Sequence, residues 1–173
     1  GLGIGEIAFQ SAFDYAKDRG QGRSLAVTQS PDKPADSILV HPDVRRMLLR
    51  MKANNEGGRA MAAWIALNID KSLKHADPEV REQADDFVQL MTPIIKSYMT
   101  DAGSEAANLG VQTMGGHGYI EEWGMEQLVR DARIAQIYEG TNGIQALDLA
   151  GRKLGAHYGR YLRTFFHPVS TFI

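Results

Sequence analysis

The stretch PEVREQADDFVQLMTPIIKSYMTDAGSEAANLG, residues 78–110, decides the fold class. Its apolar residues recur every three or four positions, which is the period of one face of an α-helix. They are Val80, Ala84, Phe87, Val88, Met91, Ile94, Ile95, Tyr98, Met99, Ala102, Ala106 and Leu109. Asp77, Pro78 and Glu79 add an N-cap side chain, a preset φ and an acid near the positive end of the helix dipole. The sequence therefore predicts a long helix from Pro78, with a kink or a restart at Pro93.

The same period predicts helices on both sides of this stretch. Residues 2–17 carry apolar side chains at helical spacing, and a second helix is expected to begin near Pro42 and to reach Leu73. The glycine pair at residues 57–58 is expected to interrupt that helix only locally. The methionines and Trp64 also lie at helical spacing, and they are interpreted as core residues rather than as a cofactor box.

Three segments interrupt the helical pattern. Residues 20–41 contain several Gly and Pro and no period, which predicts a long surface loop with extended pieces. The glycine-rich residues 115–118 are not expected to stay helical and should turn at positive φ. The pattern returns over residues 125–137, breaks at Gly140 and restarts at Thr141, which is expected to be an N-cap. Together these elements predict an all-α fold, an antiparallel four-helix bundle with only short β pieces.

Size and composition restrict the classes of function. A chain of 173 residues with 43% hydrophobic residues is sufficient for one packed domain. The net charge of −2 gives no footprint for nucleic acid, and no stretch has the roughly 20 apolar residues that span a bilayer. Cys is absent and the five His show no ligand spacing, so thiol chemistry is excluded and no metal site is expected. Because the absence of Cys leaves the redox compartment open, the cytoplasm is taken as the default location.

The segment IYEGT, residues 137–141, is the main candidate for chemistry. Glu139 lies between an apolar helix end and a glycine that frees the backbone before the next helix. An apolar pocket around this carboxylate would disfavour its charged form and make it an effective general base for a carbon acid. The competing interpretation is a capping or solvated Glu at a helix junction.

Two further features could meet an anion. The glycine-rich residues 115–118 allow close approach of the backbone to a ligand, and their freed amides could contact phosphate. Close packing at a helix crossing is the alternative explanation for these glycines. Arg19 ends the first helix, where its charge either complements the helix dipole or binds phosphate.

Four different motifs follow one another along the chain, and each occurs once. They are YAKDRGQG at residues 15–22, QTMGGHGY at 112–119, RDAR at 130–133 and QIYEGTNGIQ at 136–145. In order and spacing they resemble the C-terminal helical domain of the acyl-CoA dehydrogenase family. The resemblance covers nearly all of residues 1–155, which are assigned to the helical bundle, and residues 156–173 are expected to bridge to a further C-terminal segment. It implies one domain of a three-domain flavoenzyme that forms homotetramers through this bundle.

The resemblance implies a reaction and the residues that carry it. Glu139 would remove the α-proton of an acyl-CoA thioester while the β-hydrogen leaves as hydride to FAD, which gives a trans-2-enoyl-CoA. The backbone N–H of Glu139 would help to polarise the thioester carbonyl. Tyr138 would line the acyl pocket and Gly140 would contact the substrate. Electron-transfer flavoprotein is the implied electron acceptor, in fatty acid metabolism.

The resemblance also implies a set of contacts with FAD. They are Arg19 and Gln21 toward the FAD of a neighbouring subunit, Gln112, Gly115 and Gly116 along its adenosine side, and Thr141 near its phosphates. Two positions depart from the family pattern. Gly22 stands where many relatives carry a Phe that stacks on adenine, and Gly143 stands where many carry Gln or Glu.

The long loop from Ser24 to Val40 and the long helix from Pro78 resemble those of a larger branch of the family. This branch includes methylthiopropanoyl-CoA dehydrogenases and has an extra C-terminal domain. Both ends of the chain are expected to be cuts in a longer protein, and the isolated chain is expected to be inactive. Two other functions stay open. One is a non-catalytic helical oligomerisation module on the same fold, and the other is a nitroalkane oxidase or flavin monooxygenase.

Overall fold

The computed structural model describes residues 1–173 and contains seven α-helices and no β-strand. The helices are α1 (Leu2–Asp18), α2 (Pro42–Lys74), α3 (Pro78–Met114), α4 (Gly116–Tyr119), α5 (Met125–Ala135), α6 (Asn142–Asp148) and α7 (Arg160–Phe172). The one β element is an isolated antiparallel bridge between Gly20 and Ser37. The all-α fold class is therefore confirmed.

The helices divide into two compact units. The first comprises Gly1–Gly57 and Thr100–Ala135, and the second comprises Gly58–Met99 and Gln136–Ile173. The long helices α2 and α3 each contribute one part to the first unit and one part to the second. Each unit has a hydrophobic cluster of its own.

The core of the first unit depends on small residues of α1. Ala8, Ala12 and Ala16 are fully buried at a spacing of four residues, so one face of α1 is nearly flat. They belong to one cluster with Met51 of α2 and Met125 of α5, which are also buried. A flat helix face permits close approach of larger neighbouring side chains, and this places the end of α1 beside the start of α5.

The core of the second unit is smaller and more aromatic. Ile65, Phe87 and Met91 are buried, and Phe165 of α7 packs against them. The Trp64 ring lies 4.4 Å from the Phe87 ring, measured between centroids, but half of Trp64 remains exposed. The interpretation of Trp64 as a core residue is thus wrong, because helical spacing cannot tell a central position from one at the edge of the buried face.

Two predicted interruptions are absent from the long helices. Helix α3 continues through Pro93, and α2 continues through residues 57–58. Pro93 is fully buried, and the hydrogen bonds of the neighbouring turns and the surrounding packing keep the helix in one piece. The predicted restart at Pro93 and the local break at the glycine pair are therefore wrong, whereas the alternative of a kink at Pro93 stays a prediction.

The glycine-rich segment after α3 is also more helical than predicted. Only Gly115 has a positive φ, of 60°, and the next four residues form the single turn α4. A Cβ at Gly118 would lie 2.8 Å from the carbonyl oxygen of Val111, so this glycine is required by close packing and not by φ. The prediction that the whole run leaves the helical region is wrong after Gly115.

The loop between α1 and α2 is organised by one buried carboxylate. Asp36 is fully buried, and its oxygens accept backbone N–H groups from Ser24 at 2.9 Å, Gln29 at 3.0 Å and Ser30 at 2.7 Å. The N–H donation from Ser24, together with that from Ser30 and Gln29 and the nearby charge of Arg23, holds the pKa of Asp36 below its usual value, against the opposing effect of burial. The long loop is therefore ordered around a charge.

Candidate active site

Four of the predicted cofactor residues line one groove of the first unit. The groove has a volume of about 400 Å³ and lies where α1 ends and α3 ends. Its lining residues are Tyr15, Arg19, Gln21, Gly22, Ile38, His41, Val44, Gln112, Thr113, Met114 and Gly115. Arg19, Gln21, Gln112 and Gly115, which are far apart in the sequence, thus meet in one place.

Backbone hydrogen bonds attach the long loop to the end of α1 and so position Arg19 and Gln21. The N–H of Ile38 donates to the carbonyl oxygen of Arg19 at 2.8 Å, and the N–H of Gln21 donates to that of Asp36 at 2.9 Å. His41 Nε2 donates to the Gln21 carbonyl oxygen at 2.8 Å. The guanidinium of Arg19 is exposed and forms no ion pair within the chain, so it is available to an anion.

Glycine is favoured at different positions of the groove for different physical reasons. Gly115 has a φ of 60°, and a Cβ at Gly115 or Gly116 would meet nothing within 4 Å, so the backbone there is open to a ligand. Gly22 has a φ of 72°, and a Cβ there would lie 3.3 Å from His41 Cε1. The imidazole of His41 therefore stands beside Gly22.

An aromatic cluster forms a second cleft of about 470 Å³ in the same unit. The Tyr15 hydroxyl and His117 Nδ1 are joined by a hydrogen bond of 2.9 Å, although the two residues lie 102 positions apart. The rings of His117 and Trp123 stack at 4.9 Å with planes 8° apart, and Tyr15 meets Trp123 edge-on at 5.3 Å. Arg19 lines this cleft as well as the groove. Nothing in the local sequence of these residues indicates that they meet.

The predicted catalytic residue lies on a turn of the second unit, between α5 and α6. Glu139 has a φ of 52° and Gly140 a φ of 84°, so both adopt the left-handed conformation. A non-glycine residue there costs about 1–2 kcal/mol, and such strained residues cluster at functional sites. The backbone N–H of Glu139 donates to no group of the chain. A strained acid with a free N–H beside it is an arrangement that can both accept a proton and donate a hydrogen bond.

Hydrogen bonds hold the chain immediately after Glu139. Lys96 Nζ donates to the Gly140 carbonyl oxygen at 2.7 Å and to Asn142 Oδ1 at 2.9 Å. The N–H of Asn142 donates to the Gln136 carbonyl oxygen at 3.1 Å, which closes the turn. Thr141 Oγ1 accepts the N–H of Ile144 at 3.2 Å, so the predicted N-cap of α6 is confirmed.

The turn presents its side chains to solvent. Glu139 is exposed, and Ile137 and Tyr138 are 46% and 52% exposed. The sequence analysis required an apolar pocket around the Glu139 carboxylate for this residue to act as a strong base. This chain by itself does not form such a pocket. The predicted catalytic and substrate residues and Thr141 belong to the second unit, whereas the other predicted cofactor residues belong to the first.

Lys96 and His41 contact predicted site residues, and sequence reasoning did not find either of them. Lys96 occupies a polar position of an amphipathic helix and looks like an ordinary solvated lysine. His41 precedes Pro42 in a segment without periodicity. Only their positions after folding connect them with Gly140 and Gln21.

Residues 1–154 match the family model described as acyl-CoA dehydrogenase, C-terminal domain. The chain is 46% identical over 170 residues to 3-methylmercaptopropionyl-CoA dehydrogenase from Ruegeria pomeroyi, covering 98% of this chain and 28% of that protein. It is 34% identical over 172 residues to butyryl-CoA dehydrogenase from Syntrophomonas wolfei, covering 99% of this chain and 28% of that protein. The chain therefore belongs to the acyl-CoA dehydrogenase family, as its C-terminal domain.

Solved structures show the same fold. Caenorhabditis elegans ACDH-11 in complex with C11-CoA superimposes with a TM-score of 0.80 at 23% identity, over 98% of this chain and 26% of that one. An FAD complex of PigA superimposes with a TM-score of 0.70 at 21% identity, over 89% of this chain and 33% of that one. The chain spans little more than a quarter of the length of the two curated relatives. None of its helices combines the length and the apolarity required to cross a membrane.

Proposed function

We propose that this chain is the domain of an FAD-dependent dehydrogenase that supplies the catalytic base, Glu139, for oxidation of an acyl-CoA thioester to a trans-2-enoyl-CoA. The observation that carries the proposal is the left-handed turn at Glu139 and Gly140, with its exposed carboxylate and free N–H, in a member of the acyl-CoA dehydrogenase family. His157 and Tyr158 also have positive φ, so what supports a chemical role for Glu139 in particular is its strained turn together with its place within the residues that match the family.

In this proposal Glu139 acts through two of its groups. Its carboxylate takes the α-proton of the thioester, and the C–H electron pair left behind forms the new double bond. Its backbone N–H donates to the thioester carbonyl oxygen, where negative charge develops as the proton leaves. When bound, FAD supplies the acceptor for the β-hydrogen, which leaves with its electron pair.

Tyr138 and Gly140 flank the base and are proposed to contact the substrate. Tyr138 is half-exposed and offers an aromatic surface to an acyl chain. Gly140 has a positive φ of 84°, and this backbone conformation keeps the chain that follows the base in a tight turn beside the proposed substrate. An acyl-CoA thioester and the remainder of the longer protein are proposed to cover the exposed turn and to exclude water from the carboxylate.

The groove of the first unit fits part of a dinucleotide cofactor. Arg19 supplies an unpaired cation for a phosphate, and the side-chain amides of Gln21 and Gln112 supply donors and acceptors. The open space at Gly115 and Gly116 lets a nucleotide lie against the backbone. These residues are proposed to hold FAD of a neighbouring subunit, and Thr141 to lie near its phosphates, within a homotetramer that passes electrons to electron-transfer flavoprotein.

The relatives support a small or linear acyl group as the substrate. Two of them are named as dehydrogenases of 3-methylmercaptopropionyl-CoA and butyryl-CoA, and a third as a broad-specificity linear acyl-CoA dehydrogenase from Mycobacterium tuberculosis at 36% identity. We therefore propose that the full-length protein oxidises a short acyl-CoA. A panel of saturated acyl-CoA thioesters and 3-methylmercaptopropionyl-CoA, ranked by kcat/KM, tests this choice.

The decisive experiment measures anaerobic bleaching of FAD by acyl-CoA in the full-length protein that carries this domain. Glu139→Gln is expected to keep FAD and to lower the bleaching rate by about 10²–10⁴-fold, the usual contribution of a general base. Glu122→Gln is the matched control, because Glu122 is exposed and lies in the other unit. Unchanged bleaching in Glu139→Gln refutes the base assignment. A wild-type protein that binds no FAD supports the non-catalytic oligomerisation module instead.

A further inference from the structure

We propose that Lys96 is a positioning residue, which fixes the left-handed turn so that Glu139 meets its substrate in the reactive orientation. This inference rests on the proposed role of Glu139 and adds a residue 43 positions earlier in the chain, on helix α3. Lys96 has no part of its own in moving a proton. It acts on the backbone that carries the base.

The geometry places the ammonium group of Lys96 against the segment that directly follows Glu139. Nζ donates to the Gly140 carbonyl oxygen at 2.7 Å and to Asn142 Oδ1 at 2.9 Å. Both distances are short, the donor is charged, and the pair of bonds is partly buried. Charge-assisted hydrogen bonds of this kind are roughly twice as strong as neutral ones. Lys96 thus ties the turn to the middle of α3, the most extended element of the unit.

Three other side-chain contacts near Glu139 are longer than the bonds from Lys96. Gln145 Nε2 lies 3.4 Å from the carbonyl oxygens of both Glu139 and Gly140. Asn142 Nδ2 lies 3.4 Å from the carbonyl oxygen of Ser97. Glu139 is not a glycine, so its positive φ costs free energy and the residue tends to relax toward an ordinary backbone conformation when it is not held. The bonds from Lys96 are strong enough to oppose that relaxation.

Position matters here because Glu139 is proposed to use two groups at once. Its carboxylate and its backbone N–H must reach the α-carbon hydrogen and the carbonyl oxygen of the same thioester. A change of the backbone angles at residues 139–140 moves these groups relative to each other. A displacement of about 1 Å at a reacting group can cost about 100-fold in rate. Loss of the Lys96 bonds should therefore slow chemistry without removing the base.

Lys153 provides a matched control for a lysine that binds the same helix. Its Nζ donates to Gln89 Oε1 at 2.8 Å, is partly buried, and connects α3 with the segment after α6. It does not contact the turn that carries Glu139. A purely structural lysine on α3 should therefore behave like Lys153, and a positioning lysine should not.

The test uses the full-length, FAD-loaded protein and compares Lys96→Met, Lys96→Arg and Lys153→Met. We expect Lys96→Met to lower the anaerobic flavin-bleaching rate by about 10–100-fold, with FAD content and the Kd for acyl-CoA within threefold of wild type. The isotope effect of α-deuterated substrate on bleaching should rise, because α-proton abstraction becomes more rate-limiting. Lys96→Arg should recover part of the rate, and Lys153→Met should stay within twofold of wild type.

The outcomes separate this inference from the proposed function. Wild-type bleaching in Lys96→Met, together with loss of bleaching in Glu139→Gln, overturns the role of Lys96 and leaves the base intact. Equal losses in Lys96→Met and Lys153→Met also overturn it, since both would then act through the fold. If Lys96→Met yields no folded protein, Asn142→Ala removes one acceptor and should slow bleaching about threefold to tenfold; an unchanged rate there refutes the inference.

Discussion

At the scale of the residue, the turn that carries Glu139 depends on the glycine that follows it. Gly140 has a φ of 84°, and a Cβ at this position would lie 2.8 Å from Gln145 Nε2. The backbone angle therefore favours glycine, and a methyl group there would in addition move the end of the Gln145 side chain. The sequence motif indicates a break in the helix at Gly140, and the structure adds that the break consists of two left-handed residues in succession.

Gly140→Ala should destabilise the turn and slow the reaction. An alanine at positive φ costs about 1 kcal/mol or more, and its methyl group must displace the Gln145 side chain. We expect a lower thermal midpoint of the full-length protein and a bleaching rate reduced at least tenfold. Gly143→Ala is the control, because Gly143 has an ordinary helical φ and the nearest atom to its Cβ would be Thr141 Oγ1 at 3.6 Å. Equal losses of thermal stability and bleaching rate in the two variants would contradict the requirement for glycine at residue 140.

At the scale of the element, the loop between α1 and α2 shows how a long connection becomes ordered. Its Gly and Pro content predicts a surface loop, and no periodic pattern indicates a fixed conformation. The conformation of the loop is fixed instead by the buried Asp36, which accepts three backbone hydrogen bonds and forms an ion pair with Arg23 at 3.5 Å. The loop in turn fixes Gln21 in the groove proposed to hold FAD.

The order of this loop should therefore depend on pH. The pKa of Asp36 is lowered in the fold, so its stabilising effect is fully present above the unfolded pKa of about 3.9, declines as the pH falls below that value, and is lost as the pH falls through the lower pKa of the folded protein. In the full-length protein, hydrogen exchange of the Ser24, Gln29 and Ser30 amides, corrected for the intrinsic rate, should be faster at pH 3 than at pH 6. Exchange that stays equally slow at both values would refute this account.

A substitution should reproduce the effect of acid at neutral pH. Asp36→Asn removes the negative charge while nearly preserving the shape of the side chain, and we expect the same three amides to exchange at least about tenfold faster. Asp32→Asn is the control within the same loop, since Asp32 is exposed and its carboxylate forms no hydrogen bond with these amides. FAD affinity should fall with Asp36→Asn and should not change with Asp32→Asn.

At the scale of the whole molecule, the proposed base and the proposed cofactor groove belong to different compact units. The chain also spans only 28% of the length of its curated relatives. The exposed Glu139 and half-exposed Tyr138 show that the chain by itself does not enclose a reaction site. The carboxylate of Glu139, the proposed base, is therefore only one part of the proposed site.

The isolated chain of 173 residues is accordingly expected to be inactive. Mixed with FAD and an acyl-CoA under anaerobic conditions, it should give no bleaching above a protein-free control, because an exposed carboxylate in water is a weak base for a carbon acid. The full-length protein under the same conditions is the positive control. Bleaching by the chain alone would show that its own residues enclose a competent site.

The sequence by itself determined the features that depend on near neighbours. Helical periodicity gave the all-α class, Pro42 and Pro78 marked the helix starts, and Thr141 was identified as an N-cap. Each of these rests on contacts within about one helical turn, which a local pattern can encode. The four motifs also indicated the family, which the family model confirms.

Only the tertiary structure decided which distant residues act together. It brought the ammonium group of Lys96 into contact with the residue after Glu139, His41 into contact with Gln21, and Tyr15 into contact with His117. It also showed that Glu139 is left-handed and exposed, and that Pro93 does not break its helix. These features arise from contacts between residues that lie 20 to 102 positions apart, or from packing that overrides a local preference. A local sequence pattern carries no information about either.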